Sequence, residues 1–368
     1  MTSHVSGRPS EISVTSKSIF HIPSLDGLRA VSFLLVFFAH CGWERFIPGG
    51  LGVTVFFNIS GYLITTLLRV EYDRSGKINL KNFWIRRSLR ILPPFYFLLF
   101  VAYGSSLVLG VSGWPELKAF FAQALHATNY YIIYNRYAGF PEHFATGIYW
   151  SLAVEEHFYI VFPFLFLLLK KYNLNRNTQF ALLSTVCALV LVWRFFLLQE
   201  GHLLMDRIYM GTDTRLDSIL FGCILALWRN PILDAPMGMD KKYSHMVFFL
   251  ALTGILFTLV FRGEIFRESI RYTIQGISLM GIVYLAVLYP QWVVFRWLNS
   301  RYLEFLGRLS YSLYLVHFAV IFWVADALHI ESVSLRVIIS FPISLLISWL
   351  IYIYIEKPCS SLRRRLTD

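Results

Sequence analysis

The first apolar run of the sequence, LDGLRAVSFLLVFFAHC, contains two side chains that could carry out chemistry inside a membrane. Arg29 and His40 are ionisable, and an ionisable residue within a membrane span is costly and is by default a functional candidate. They are 11 residues apart, so at about 100° per residue they share one helix face, about 16 Å apart along its axis. The alternative interpretation is that Arg29 snorkels to one membrane surface and that His40 lies at the other.

A second group of ionisable residues, Glu155, Glu156 and His157, lies in the apolar run WSLAVEEHFYIVFP. A buried carboxylate needs a partner or must be protonated, so side-chain packing does not explain the two glutamates. Ser151 and Glu155 are four residues apart and share a helix face, whereas Glu156 points about 100° away. We therefore expect a functional role for at least one of the two glutamates.

The densest basic stretch, NFWIRRSLRILPPFY, places Arg86, Arg87 and Arg90 where another apolar run begins. Arg87 and Arg90 are three residues apart and share a helix face. Planar guanidinium groups hold phosphates through paired hydrogen bonds, so this spacing suits a polyanionic ligand. The alternative is that the three arginines only anchor the topology of the helix.

Several other residues in or beside the apolar runs are candidates for substrate binding or for supporting roles. Glycines and small polar residues in PGGLGVTVFFNISGYLITTLL favour close helix packing, although the bare backbone of the PGG turn could approach a ligand. In TDTRLDSILFG an internal Arg–Asp ion pair competes with a functional role, and a lone His in GRLSYSLYLVHF more often hydrogen-bonds between helices. These candidates are Asp26, Gly49, Gly50, Ser60, Trp150, Ser151, Asp213, Arg215, Asp217, Tyr311 and His317.

These residues stand in a chain whose composition excludes a water-soluble globular protein. Of its 368 residues, 57% are hydrophobic and 15% are charged, with a mean hydropathy of +0.57, whereas soluble domains carry roughly 25% charged residues. Ten apolar runs are long enough to cross about 30 Å of hydrocarbon, which predicts an all-α integral membrane protein with about ten transmembrane helices in one bundle. The runs lie near residues 25–41, 50–69, 90–111, 149–169, 179–198, 214–229, 244–261, 270–289, 308–328 and 334–355.

The distribution of basic residues decides the expected topology. The segment 118–134 contains Lys118 and His126, so it could form an eleventh span or a re-entrant or interfacial segment. If it does not cross, most of the 33 Lys and Arg residues fall on the cytoplasmic side, whereas a crossing would put Lys170 and Lys171 outside. The positive-inside rule therefore favours ten spans in a cytoplasmic or plasma membrane, with both termini cytoplasmic.

Three regions follow from this topology. We expect a flexible cytoplasmic tail over 1–23, a transmembrane domain over 24–356 and a basic cytoplasmic tail over 357–368. The net charge of +11 is diluted through apolar runs, and an excess of Lys and Arg is what cytoplasmic loops require, which disfavours nucleic-acid binding. The four cysteines show neither a disulfide framework nor the spacing of metal ligands, so no metal is expected.

Six strings, in this order, resemble the acyltransferase 3 family of multi-pass membrane O-acyltransferases. They are LDGLRA with His40 downstream, PGGLGVTVFFNISGYLIT, RRSLRILPPFY, YWSLAVEEHFYIVFP, TDTRLDSILFG and GRLSYSLYLVHF, and they run from residue 24 to about 318. The resemblance implies that Arg29 and His40 are essential. It further implies that Arg87 and Arg90 bind the acyl donor and that Glu155 contributes to activity.

The resemblance and the candidate residues together predict a reaction, the transfer of an acyl group, expected to be acetyl, from acyl-CoA to a hydroxyl. The acceptor is expected to be a sugar, a glycan or a glycolipid, and membrane lipids are the other partners. Acyl-CoA acts as a co-substrate, and no cofactor is expected to be bound permanently. Arginines at one end of the spans, with a histidine and carboxylates at the other, suit a donor and an acceptor that enter from opposite sides.

Each candidate has an expected role in this reaction. Arg29 steadies the pantetheine arm or the thioester of the donor. His40 is the general base, and Glu155 holds its second imidazole nitrogen and stabilises the imidazolium. The remaining assignments are Arg86, Arg87 and Arg90 for the donor phosphates, and Asp213, Arg215 and Asp217 for acceptor binding or proton release.

Three alternatives stay open at this point. The reaction could pass through a covalent acyl-histidine, and a transporter or flippase could use the same residues to relay protons, although no inverted repeat is visible in the sequence. An unrelated type of membrane-bound O-acyltransferase also uses a membrane-embedded histidine. The chain departs from the pattern of the resembled family at Thr54, commonly Asp, and at Asn58, commonly apolar, and both departures bear on the acceptor.

Overall fold

The computed structural model of the protein describes residues 22–109, 117–141, 145–200, 205–235 and 240–367. All regular elements in these ranges are helices, and nine of the helices described are long and apolar enough to cross a membrane. This confirms the prediction of an all-α multi-pass membrane protein. Of the expected tail over 1–23, residues 1–21 lie outside the described ranges, as does Asp368.

The helices range from a single turn to 30 residues, more than the roughly 20 that a membrane span requires. In chain order they are α1 (Pro23–Phe38), α2 (Gly49–Ser75), α3 (Leu80–Leu109), α4 (Leu117–Ala124), α5 (Thr128–Asn135), α6 (Trp150–Lys171), α7 (Arg176–Gln199), α8 (Met205–Met210), α9 (Thr212–Trp228), α10 (Lys241–Val260), α11 (Glu264–Glu268), α12 (Ile270–Leu288), α13 (Val293–Arg296), α14 (Arg301–Ala327), α15 (Val333–Ile351) and α16 (Lys357–Thr367).

The apolar run expected near 214–229 forms α9, a helix of 17 residues. It packs against α2, α7 and α12. All but a few of its side chains are buried by these neighbours. This expected span, which is not among the nine long apolar helices, lies inside the bundle, where protein surrounds it.

The segment 118–134 does not form one membrane-crossing helix. It is divided between α4 and α5, each of eight residues, and His126 between them has a left-handed backbone with φ of 53°. A helix of this length rises only about 12 Å, less than half of the hydrocarbon thickness. The structure thus agrees with the expectation that this segment is not an eleventh span.

Glycines allow the helices at the centre of the bundle to approach closely. A Cβ atom at Gly61 of α2 would lie 2.0 Å from the backbone oxygen of Ile219, and one at Gly222 of α9 would lie 1.9 Å from that of Asn58. Neither position accepts a side chain, so backbone packs directly on backbone. The small residues of α2 therefore serve helix packing, the first of the two interpretations of this run.

Two π-helical turns interrupt the regular α-helices. The first, Ala39–Trp43, continues α1 and contains His40 and Gly42, whose φ is 116°. The second, Tyr352–Glu356, joins α15 to α16. Such turns are rare and often mark functional sites. The segment 357–368 was expected to be a tail, whereas its residues up to Thr367 form α16, which packs against α3.

Candidate functional site

A narrow cavity brings together most of the predicted donor-binding residues. We call it the arginine cavity; it has a volume of about 100 Å³ and lies between α1, α2, α3, α6 and α14. Both glutamates of α6 reach it, although they point in different directions from the helix. Its polar lining consists of Arg29, Ser60, Arg87, Arg90, Ser151, Glu155, Glu156, Tyr159, Ser310, Tyr311 and Tyr314.

Hydrogen bonds order the carboxylate at the centre of this cavity. Glu155 accepts a hydrogen bond from the Tyr159 hydroxyl at 2.6 Å and a longer one from Ser60 at 3.4 Å. Ser60 and Tyr159 also bond to each other. Tyr159 lies four residues after Glu155 on the same helix face, so the sequence spacing could have identified it as part of the site.

The arginines of the cavity differ in their partners. Arg29 forms an ion pair with Asp26 at 3.3 Å. The guanidinium of Arg87 lies over the rings of Phe83 and Tyr159, at 6.0 and 5.8 Å from their centroids. Among the described residues, no carboxylate forms an ion pair with Arg87 or with its neighbour on the same face, Arg90.

Arg86 does not belong to this cavity, contrary to the expectation. It forms an ion pair with Glu71 of α2 at 2.6 Å and is absent from the lining. Since successive helix residues project about 100° apart, Arg86 cannot share the face of its neighbour Arg87. Its charge is already paired, so only two of the three predicted phosphate-binding arginines meet.

A second cavity, larger and open to solvent, surrounds His40. We call it the histidine cavity; its volume is about 850 Å³. Gly49 and Gly50 line it at the start of α2, as expected for the PGG turn, and Trp150 lines it from the start of α6. Ionisable and aromatic residues that the sequence did not identify also contribute: Glu44, Tyr137, Phe140, Asp206, Tyr209, Arg267, Glu268, Arg271 and Phe318.

His40 is hydrogen-bonded to a second histidine, His317 of α14. The distance from His40 Nδ1 to His317 Nε2 is 2.9 Å, and the two rings are stacked with centroids 5.2 Å apart. His317 is fully buried, and its Nδ1 lies 2.8 Å from the backbone oxygen of Tyr314 and 3.2 Å from that of Leu313. His317 therefore has the interhelical bonding role that was expected of a lone histidine.

The hydrogen-bond partners fix the tautomers of the two neutral rings. Nδ1 of His317 faces carbonyl oxygens and must carry the proton, so its Nε2 is an acceptor. Nδ1 of His40 must then donate to that Nε2. This leaves Nε2 of His40 with its lone pair, as a general base requires.

The expected contact between Glu155 and His40 is not formed. Glu155 bonds to Ser60 and Tyr159 in the arginine cavity, whereas His40 lies in the histidine cavity. The position assigned to Glu155, on the second imidazole nitrogen, is held by His317. The reason is the rise of the helix. Glu155 lines the same cavity as Arg29, whereas His40 lies 11 residues farther along α1 and its π turn.

A thin wall separates the two cavities. Val53 and Tyr314 line both of them. The Tyr314 hydroxyl lies 2.7 Å from that of Ser151 and donates to the backbone oxygen of Ile148 at 3.1 Å. Tyr311, one turn earlier on α14, donates to the backbone oxygen of Ile91 at 2.7 Å. Ser151 and Tyr311 thus order the wall and lining of the site.

The two aspartates of α9 line neither cavity. Asp217 forms an ion pair with Arg194 of α7 at 2.7 Å, and both side chains are fully buried. Asp213 pairs with Arg207 and accepts a hydrogen bond from Trp193 Nε1 at 2.7 Å. Both aspartates therefore form ion pairs, as the alternative interpretation expected. Their partners are Arg194 and Arg207, which lie outside α9, rather than Arg215.

Arg215 is buried in a cage of aromatic rings. Its guanidinium lies 4.0 Å from the centroid of the Tyr272 ring, and it donates to the hydroxyl of Thr54 at 3.0 Å. Thr54 is the position where the sequence departs from the resembled pattern. The other rings within 6.0 Å belong to Phe57, Trp150 and Tyr209, which also line the cavities, so Arg215 supports their walls.

Comparisons with known proteins place this chain in a family. The family model of acyltransferase 3, described as an acyltransferase domain, matches residues 22–353. A relative named "Putative O-acetyltransferase SACOL0978" from Staphylococcus aureus (strain COL) is 33% identical over 363 residues, which cover 93% of this chain and 58% of the relative. The O-acetyltransferase OatA from Staphylococcus aureus (strain NCTC 8325) is 32% identical over 360 residues, with 92% and 57% covered.

The chain thus spans less than two thirds of the length of these relatives. No solved structure matches it. The match to the family model covers both cavities and nearly all of the described helices. The chain belongs to the acyltransferase 3 family.

Proposed function

We propose that this protein transfers an acetyl group from acetyl-CoA to a hydroxyl of a carbohydrate or glycolipid acceptor. The observation that carries the proposal is the meeting of two unlike cavities at one thin wall. One presents Arg87 and Arg90, which form no ion pair with a carboxylate among the described residues, and the other presents the Nε2 lone pair of His40. The names of the relatives, which are O-acetyltransferases, support acetyl as the group transferred.

The arginine cavity suits the donor. Arg87 and Arg90 offer their guanidinium groups to the phosphates of CoA, where planar, bidentate contacts are strongest. A cavity of about 100 Å³ admits only a thin chain, because pockets for drug-sized ligands measure about 300–1,000 Å³. The pantetheine arm would therefore enter past Arg29 toward Val53 and Tyr314, and the nucleotide would stay outside.

His40 is the general base in this proposal. Its Nε2 takes the proton of the acceptor hydroxyl while the oxygen attacks the thioester carbonyl carbon. The carbon–sulfur bond then breaks, and the imidazolium returns its proton to the CoA thiolate as it leaves. His317 orients the His40 ring by accepting a hydrogen bond from its Nδ1–H throughout the reaction. This is the orienting role of the third member of a catalytic triad.

Glu155 acts as a positioning residue on the donor side. Its carboxylate holds the Tyr159 hydroxyl, and the Tyr159 ring lies under the guanidinium of Arg87. Removing the negative charge would loosen this arrangement without touching His40. The contribution of Glu155 to activity, which the family resemblance implies, then arises through the donor site.

The histidine cavity suits an acceptor of the size of a sugar. Its volume of about 850 Å³ lies within the range of small-molecule sites, and the rings of Trp150 and Tyr209 provide flat apolar surfaces. Burial raises the pKa of the Tyr209 phenol, so its hydroxyl stays protonated and can donate a hydrogen bond. Asp206 and Glu268 offer carboxylates to sugar hydroxyls from the same walls.

The proposal places the arginine cavity toward the cytoplasm, where acyl-CoA is available, with both termini on that side. The positive-inside rule supports this orientation. Cysteine substitutions at Arg136 and Lys171 test it by labelling with a membrane-impermeant thiol reagent. Position 136 should react from outside the cell and position 171 only after lysis, and the reverse pattern would contradict the orientation.

One experiment tests the proposed activity against a transporter or flippase. The purified chain in detergent, without any membrane gradient, is incubated with acetyl-CoA and a mixture of sugar acceptors. An acyltransferase should release free CoA thiol and form an acetylated sugar detected by mass spectrometry. If the thioester stays intact while the protein binds and releases sugars, the transport alternative is supported instead.

A further inference from the structure

We infer that α16 completes the donor site and that Arg363 binds the 3′-phosphate of CoA beside the mouth of the arginine cavity. This rests on the proposed function, since it names a second phosphate contact for the same donor. The sequence was expected to end in a basic tail, and the structure replaces most of that tail with a packed helix.

Packing places α16 against the helix that carries Arg87 and Arg90. The helix contacts α3, and Arg363 lies within electrostatic range of Arg87. The π turn that precedes α16 is tied to a second helix of the cavity wall, because Glu356 accepts a hydrogen bond from Ser312 of α14. α16 is therefore held in place beside the arginine cavity.

Only one of the three consecutive arginines of α16 faces the bundle. Arg363 is half-buried, whereas Arg364 and Arg365 are exposed. Consecutive helix residues project about 100° apart, so the three arginines cannot share one face, and the burial pattern marks Arg363 as the one turned toward the bundle. Arg364 and Arg365 are therefore matched controls, with the same charge on the same helix.

The chemistry of CoA explains why a second cationic site is needed. From the thioester outward, the molecule consists of pantetheine, a diphosphate and an adenosine with a 3′-phosphate. With the thioester at the wall of Val53 and Tyr314, the diphosphate meets Arg87 and Arg90. The 3′-phosphate must then lie farther out, where α16 adds a cation close to Arg87. A phosphate monoester bound by a guanidinium is a strong, charge-assisted contact.

The test compares CoA with dephospho-CoA, which lacks only the 3′-phosphate. Affinities are measured by isothermal titration calorimetry on the full chain in an uncharged detergent. We expect Arg363→Ala to weaken CoA binding by roughly tenfold, the scale of one charge-assisted contact, and to leave dephospho-CoA binding unchanged. Arg364→Ala should change neither affinity, and Arg87→Ala should weaken both.

The pattern across the two ligands decides the outcome. Equal losses for CoA and dephospho-CoA in Arg363→Ala, or no loss for either, would overturn the assignment. If Arg363→Ala changes only the binding of anionic-lipid vesicles, the residue serves lipid headgroups and the assignment is wrong. Arg363→Lys keeps the charge and the helix and should restore most of the difference between the ligands. Absence of CoA binding by the wild-type chain would instead refute the proposed function.

Discussion

The arginine cavity and the histidine cavity differ in almost every physical respect although only a thin wall separates them. The first is narrow, about 100 Å³, and combines arginines with glutamates and tyrosines, whereas the second is about 850 Å³ and open. A narrow cationic cavity selects a thin anionic ligand by shape and charge. A wide cavity with aromatic and carboxylate walls admits a large polar molecule. In the proposed function, this difference assigns the donor and the acceptor to opposite sides of Val53 and Tyr314.

Among the residues that support the two cavities, His317 should have the largest effect, and the effect should fall on the histidine cavity only. His317→Ala removes the acceptor for the His40 Nδ1 proton, so we expect turnover to fall by about 10²–10⁴-fold, the range of general-base contributions. Affinity for CoA should stay unchanged. The matched control is His157→Gln, because His157 also lies in a span but bonds to Thr212 and lines neither cavity.

Steady-state kinetics with acetyl-CoA, together with CoA titration of the same preparations, measures both effects. Turnover in His317→Ala close to that of His157→Gln would show that the histidine pair is structural. The proposed catalytic role of His317 in the histidine cavity would then be wrong.

Substituting Asp217 should affect stability rather than either cavity. Asp217→Ala leaves the fully buried Arg194 without its ion-pair partner, and breaking such a pair costs about 3–5 kcal/mol. The thermal unfolding temperature in detergent should fall far more than in Glu331→Ala, where the side chain is exposed. An unchanged unfolding temperature combined with lost acceptor binding would return Asp217 to the substrate site.

The arginines of the first cavity should act on donor affinity alone. Arg87→Ala and Arg90→Ala should each weaken CoA binding by roughly 1.5–3 kcal/mol, the scale of hydrogen bonds to charged groups. Arg87→Lys should restore only part of the loss because Lys lacks the planar fork. Arg86→Ala is the control, since Arg86 is paired with Glu71 outside the cavity.

Calorimetric titration with CoA measures these losses. Equal losses in Arg86→Ala and Arg87→Ala would show that the arginines act through general charge. The distinction between lining and non-lining arginines would then be wrong.

The all-α multi-pass fold could be predicted from the apolar runs and the charges of the sequence. A membrane-spanning helix satisfies its own backbone hydrogen bonds, and its lipid-facing side chains must be apolar. The grouping of Arg87 with Arg90, and of Ser151 with Glu155, also followed, since residues three or four apart share a helix face. Such local geometry depends only on the helix itself.

The partner of His40 could not be predicted in the same way. His317 is 277 residues away, and their contact depends on how α1 packs against α14. The spacing of Arg29 and His40 predicted that they share one helix face, yet the two residues line separate cavities, because His40 lies in the π turn at the far end of α1. Likewise the sequence predicted a polar tail where α16 lies, because the surface of α3 that it packs against is far away in the sequence.

In the proposed function, donor binding and base catalysis reside in different cavities. His40→Gln tests it most directly, with acetyl-CoA affinity and acetyl transfer measured on one preparation of folded protein. We expect unchanged affinity for acetyl-CoA and loss of transfer, because the proposed phosphate site lies on the far side of Val53 and Tyr314 from His40. Transfer at a near wild-type rate, or a parallel loss of acetyl-CoA binding, would contradict it.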